Sequence, residues 1–201
     1  MARRVAATAC LAAVLGCTVA ATGIDEPPHW DAPTMAQALP GVPGWSTCQV
    51  AVVMPRQAPA DLPGLMRRAA DDVSTVAGVD YIVIGDRAAS TAVSAVTVRL
   101  THRPSSWLQI PGSAAETSFN GSGEPVAVTI DLDWWADLPA DGPGSRYQLL
   151  LHELLHTAGV SHAHDHHSTM APDLGTATGI TPDAAHIAHL RAPTNCTQRW
   201  S

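Results

Sequence analysis

The sequence predicts an α/β domain built on a twisted, mostly parallel sheet, with one chemically rich helix and a second helix near its end. Three observations predict it. Apolar, β-branched runs at residues 48–54, 81–84 and 93–100 have the length of buried strands. An amphipathic stretch at 61–78 separates the first two runs, the arrangement of a crossover between parallel strands. The 201 residues suffice for one well-buried domain, since single domains run to about 100–200 residues. A hydrophobic content of 46% with 14% charged residues excludes a disordered tail or a fibre.

The chain opens Met-Ala-Arg-Arg, continues into an apolar stretch from Val5 to Gly16, and carries small residues through Thr22. This pattern reads as a secretory signal peptide over residues 1–22. The stretch is shorter than the roughly 20 apolar residues a membrane-spanning helix needs, and no later segment approaches that length, so no transmembrane segment is expected. Cleavage after Ala20 or Ala21 gives a secreted, extracellular protein. Val14-Leu15-Gly16-Cys17 also resembles a lipoprotein box, which would end the signal at Cys17 and anchor the protein by a lipid there; Leu15 is atypical in such a box, and free secretion is favoured. Residues 23–44, rich in Pro and Gly, read as a flexible leader or linker, and residues 45–201 as the folded domain.

Within that domain, residues 48–54 form the first expected strand, ended by Pro55. Asp61-Leu62-Pro63 then supplies an N-cap and a first-turn Pro, and Leu62, Leu65, Met66, Ala69, Val73 and Val76 recur at helical spacing until Gly78. Strands follow at 81–84 and 93–100. Loop signals fill 101–125, with a short edge strand expected near 114–119, and 126–131 reads as the next strand. After Trp134-Trp135 and a polar turn at 141–145, a helix is expected over 146–158, with Leu149, Leu150, Leu154 and Leu155 as its apolar body and Gly159 as its stop. A last helix starts at Thr181-Pro182-Asp183 and runs to Arg191.

The formal net charge is −7, and loss of the signal peptide removes Arg3 and Arg4 but no acid, leaving nine basic against 18 acidic residues, a net of −9. An acidic surface argues against nucleic acid as a partner, and a monomer is expected. Cys10 and Cys17 lie in the signal region, so Cys48 and Cys196 remain as an even pair in an oxidising compartment. A disulfide between them is expected, and closing so long a loop stabilises by roughly 4–5 kcal/mol in the entropic account. The competing reading, a cysteine ligating a metal in a latent form, lacks a recognisable pro-segment.

The segment His152-Glu153-Leu154-Leu155-His156-Thr157-Ala158-Gly159-Val160-Ser161-His162 carries the chemistry. Two histidines four apart lie on one helix face, so both imidazoles can reach one ion. A catalytic zinc site uses three protein ligands and leaves a fourth position open. The third ligand requires the chain to turn after His156, and Gly159 supplies the positive φ such a turn favours, which places His162. Glu153 follows the first ligand and points beside the ion, where it can take a proton from water as a general base.

HExxHxxGxxH with a downstream Met resembles the metzincin zinc metallopeptidases, closest to the matrixin branch. The likeness covers residues 45–191, with only the motif region specific. It implies a zincin-like fold, His152, His156 and His162 as zinc ligands, Glu153 as the base, and an endopeptidase acting on a protein or peptide substrate. It also implies that Met170, eight residues after His162 within Ser168-Thr169-Met170-Ala171-Pro172, forms an apolar floor beneath the zinc in a Met-turn. Leu155 departs from the family, which has Gly there. Neither a cysteine switch nor the family's structural zinc site is matched, and for Ca2+ the residues carry no supporting signature.

The alternative from another class is a non-enzymatic extracellular metal-binding protein using the His-rich segment from His152 to His167. His164, His166 and His167 read first as solvated loop residues, and His186 and His189 as one face of the last helix. Trp134 and Trp135 read as packing rather than as a recognition platform.

Overall fold

The computed structural model describes residues 15–18, 35–41, 45–85, 94–102, 113–193 and 196. Most of the expected signal peptide, residues 23–34 and 42–44 of the expected leader, and residue 93 of the third expected strand lie outside the described residues. The architecture is mixed α/β, with an open, mostly parallel sheet.

Five strands form the body of the sheet: β2 (Gln49–Met54), β3 (Asp80–Gly85), β4 (Ala95–Thr101), β5 (Ser113–Phe119) and β6 (Pro125–Asp131). A short strand β1 (Leu15–Thr18), inside the expected signal peptide, lies against the outer edge of β5. The order across the sheet is β1-β5-β6-β4-β2-β3. The pairs β2–β3, β2–β4 and β4–β6 are parallel, whereas β5 runs antiparallel to β6, with Ala115 opposite Ile130 and Thr117 opposite Val128. The parallel core follows from the crossover read in the sequence, and the antiparallel edge from the short Asn120-Gly121 turn, which allows only a hairpin.

Helix α1 (Leu62–Ala77) ends at Gly78, whose φ of 67° lets its N–H close back on Ser74 O at 3.1 Å. It buries Leu62, Met66, Ala69, Ala70 and Val73 between the sheet and helix α3 (Arg146–Thr157). The short helix α2 (Leu132–Asp137), not expected from the sequence, is capped by Asp131, whose Oδ1 accepts the Asp133 N–H at 2.9 Å. It makes Trp135 a core residue, while Arg146 donates from Nε to the Trp135 carbonyl at 2.7 Å and from Nη1 to Asp61 Oδ2 at 2.6 Å. The starts of α1 and α3 and the second half of α2 are thereby tied together. Burial, the largest single effect, works to raise the Asp61 carboxyl, but the hydrogen bonds from Arg146, the backbone and Trp135 together with the Arg146 charge outweigh it and leave that group below its usual range.

Helix α4 (Pro182–Leu190) packs on α1 and closes the domain. Cys48 and Cys196 form a disulfide across 148 residues of sequence, with Cα atoms 5.2 Å apart. Among the described residues no helix is long and apolar enough to cross a membrane.

Candidate metal centre

Helix α3 is buried from Tyr147 to Thr157, which is unusual for a segment carrying two histidines and a glutamate. Its start is fixed by Ser145, whose Oγ accepts the Gln148 N–H at 3.1 Å, while Gln148 Oε1 accepts the Gly144 N–H at 2.6 Å. Leu149, Leu150, Leu151, Leu154 and Leu155 are all fully buried, so Leu155 packs into the core. His152, Glu153 and His156 share the helix and are fully buried as well. Burying them without partners would be costly, so each must be accounted for.

Both helical imidazoles are oriented from behind. His152 Nδ1 lies 2.9 Å from the Thr169 carbonyl and His156 Nδ1 lies 2.7 Å from the Val160 carbonyl. A carbonyl only accepts, so each Nδ1 carries the hydrogen and each Nε2 presents a lone pair. After Thr157 the chain turns through Gly159, at φ 83°, and brings His162 back over the helix. His162 Nε2 then stands 3.1 Å from His152 Nε2 and 3.2 Å from His156 Nε2. One ligand atom from each of the three lies within 4.8 Å of the others, forming a group able to hold a metal ion.

Protons do not resolve this arrangement. Burial lowers His152 to about 3, assisted by the neighbouring His162, and burial lowers His162 to about 4. His156 is pushed well below its usual value by burial and by both neighbours. At neutral pH three neutral imidazoles converge, and His162 Nε2 has at most one hydrogen to share between two acceptors. A cation at their meeting point satisfies all three lone pairs together.

Glu153 reaches toward β5, where Thr117 Oγ1 lies 2.5 Å from Glu153 Oε2. Its other oxygen, Oε1, has no hydrogen-bond partner among the described residues. Burial pushes this carboxyl up to about 8, the Thr117 hydrogen bond works against the rise, and the nearby Glu116 charge adds to it. A divalent cation beside it would favour the ionised form.

Met170 is fully buried in a turn, its N–H donating to Ser168 Oγ at 3.1 Å and its carbonyl accepting the Ala163 N–H at 2.9 Å. The turn supports two of the three histidines at once, because Thr169 holds His152 and Met170 holds the neighbour of His162. Thr169 is locked in turn by donating from Oγ1 to the Gly179 carbonyl and accepting the Thr181 N–H at 3.1 Å.

His164, His166 and His167 stay apart from this group: His166 Nδ1 meets Asp173 Oδ2 at 2.9 Å and His167 Nδ1 meets Thr176 Oγ1 at 2.8 Å, both on the surface. Among the described residues no second group of three such ligands is formed. Two contributors went unread in the sequence. Thr117 lies far from the motif in sequence and is signalled only by its place on an edge strand. The capping pair Ser145 and Gln148 was legible as Ser-x-x-Gln ahead of an apolar run. No protein-family model matches the chain, and no curated protein matches it in sequence.

Proposed function

We propose that this protein is an exported zinc-dependent endopeptidase of metzincin type. The observation that carries the reading is the convergence of the Nε2 atoms of His152, His156 and His162, next in sequence to the buried carboxyl of Glu153. Separations of 3.1 and 3.2 Å suit zinc, since a tetrahedral ion with bonds of about 2.0–2.1 Å holds its donors roughly 3.3–3.4 Å apart. When bound, zinc supplies Lewis acidity, bringing the pKa of water at the site to about 7 and polarising a carbonyl oxygen.

The chain's own residues do the rest. Glu153 accepts a proton from the attacking water and returns it to the leaving amine nitrogen, so hydrolysis proceeds with no covalent enzyme intermediate. Thr117 holds the carboxyl that performs both transfers. Met170 forms an apolar floor beneath the three imidazoles. Substrate lies extended along the outer edge of β5, an edge that takes an antiparallel strand here from residues 15–18.

A non-enzymatic metal-binding protein would need no base beside its ligands. Zinc content measured by mass spectrometry, together with turnover of a mixed peptide library, separates the two for wild type and Glu153→Ala. We expect zinc in both proteins and cleavage only by the wild type. Cleavage retained by Glu153→Ala would overturn the mechanism, and zinc without wild-type cleavage would favour the binding protein.

A further inference from the structure

We infer that residues 36–39, within the stretch that reads as a linker, are a positioning strap for the third metal ligand, and that affinity for Zn2+ depends on them. The inference rests on the metal-site reading above. His152 and His156 are fixed by their helix, but His162 lies beyond the last residue of α3, Thr157, and a helix does not fix residues past its own end. Its position is set by the turn from 158 to 161, and that turn is held from outside.

Ala38 pairs antiparallel with Val160. On either side of that bridge Leu39 N–H donates to the Gly159 carbonyl at 2.8 Å and Ser161 N–H donates to the Gln37 carbonyl at 2.7 Å. Gln37 N–H donates in return to Ser161 Oγ at 3.0 Å. The strap is anchored at its start, where Ala36 N–H donates to Asp183 Oδ2 at 2.8 Å, and Ala36 and Leu39 are buried at 5% and 6% exposure.

Two consequences reach the metal centre. Ser161, the residue before His162, is gripped by Gln37 through both its N–H and its hydroxyl, while Ala163, the residue after, is gripped by Met170. His162 is therefore clamped through its two neighbours, one of them by the strap. In addition, Val160 is both the strap's bridge partner and the residue whose carbonyl orients His156. Outer contacts of this kind set the direction of a ligand's lone pair, and with it the affinity of the site.

The test uses the full chain, freed of metal and titrated with Zn2+ against a chromophoric chelator. Gln37→Pro with Leu39→Pro removes two N–H donors, and Leu39→Asp places a charge in the buried contact; the two act by different means, so misfolding of one leaves the other to decide. Each should weaken Zn2+ binding by about 10- to 100-fold, the usual range when a ligand's outer partner is lost. In a His162→Ala background the further loss should be much smaller, because only the route through Val160 and His156 then remains. Unchanged affinity in the strap variants overturns the inference, and so does an equal loss in the His162→Ala background. A wild-type chain that takes up no Zn2+ overturns the metal-site reading itself, and the inference with it.

Discussion

Thr117 Oγ1 lies 2.5 Å from Glu153 Oε2 and 3.1 Å from the backbone carbonyl oxygen of the same residue, and both side chains are fully buried. A hydroxyl has one hydrogen and two lone pairs, so this placement serves Glu153 in either protonation state. With the carboxylate ionised, Thr117 donates to it. With the carboxyl protonated, Glu153 donates to Thr117 Oγ1, and Thr117 donates to the carbonyl. A base that takes up and releases a proton needs a partner of this kind. Thr117→Val keeps the shape and loses the hydroxyl. A hydrogen bond to a charged group contributes about 1.5–3 kcal/mol, so kcat on a peptide substrate should fall roughly 10- to 150-fold with KM and zinc content little changed. Thr117→Ser should restore most of it. A Val variant as active as wild type would remove Thr117 from the mechanism.

Gly159 should tolerate no ordinary side chain. At φ 83° an L-residue is strained, and a Cβ there would come within 2.8 Å of Arg191 Nε. The guanidinium is the far end of a flexible side chain and can move aside, so the backbone term decides. Gly159→Ala should lower stability by about 1–2 kcal/mol in denaturant unfolding, and Gly159→Asn by less, because Asn tolerates this region better. Arg191→Ala should not rescue Gly159→Ala; rescue would mean that the contact, not φ, sets the cost.

The Cys48–Cys196 bridge spans 148 residues of sequence and joins the entry to β2 with the segment after α4. Its replacement by Cys48→Ser with Cys196→Ser should cost about 2–5 kcal/mol. Thermal unfolding with and without reductant measures it. A midpoint shared by the variant and the oxidised wild type would show that the bridge adds no stability.

The metal-free protein should weaken in acid through its histidines. Their folded values, about 3 for His152 and about 4 for His162, lie below the ordinary 6.5. The unfolded chain then binds more protons below 6.5, so stability present above that pH is lost as pH falls toward 4. Glu153 pulls the other way: with a folded value of about 8 against 4.5, its contribution is fully present below 4.5 and is lost as pH rises through 8. Comparing wild type with His162→Gln isolates the imidazole, and from pH 7 to pH 5 the denaturation midpoint of the variant should fall less. Parallel falls would show that His162 takes no part.

The sequence by itself determined most of the elements and the three histidines that meet. Residues 62–77 and 146–157 are helical because their apolar residues repeat at helical spacing between identifiable caps, and the two histidines of α3 share a face because they stand four apart. The cysteine pairing was legible too, since only two cysteines remain outside the signal region. The tertiary structure decided what depends on separate segments meeting. The partners of His152, His156 and Glu153, namely Thr169, Val160 and Thr117, are backbone carbonyls or an ordinary strand threonine, and no residue-type pattern marks them. Residues 36–39 read as linker from their Pro- and Gly-rich surroundings, yet they pair with 159–161, because the turn after α3 leaves backbone donors and acceptors that another strand must satisfy. Local periodicity is written in neighbouring residues, whereas the contacts that hold Glu153 and the turn before His162 are made between residues more than 30 apart in the case of Thr117 and more than 120 apart in the case of Gln37.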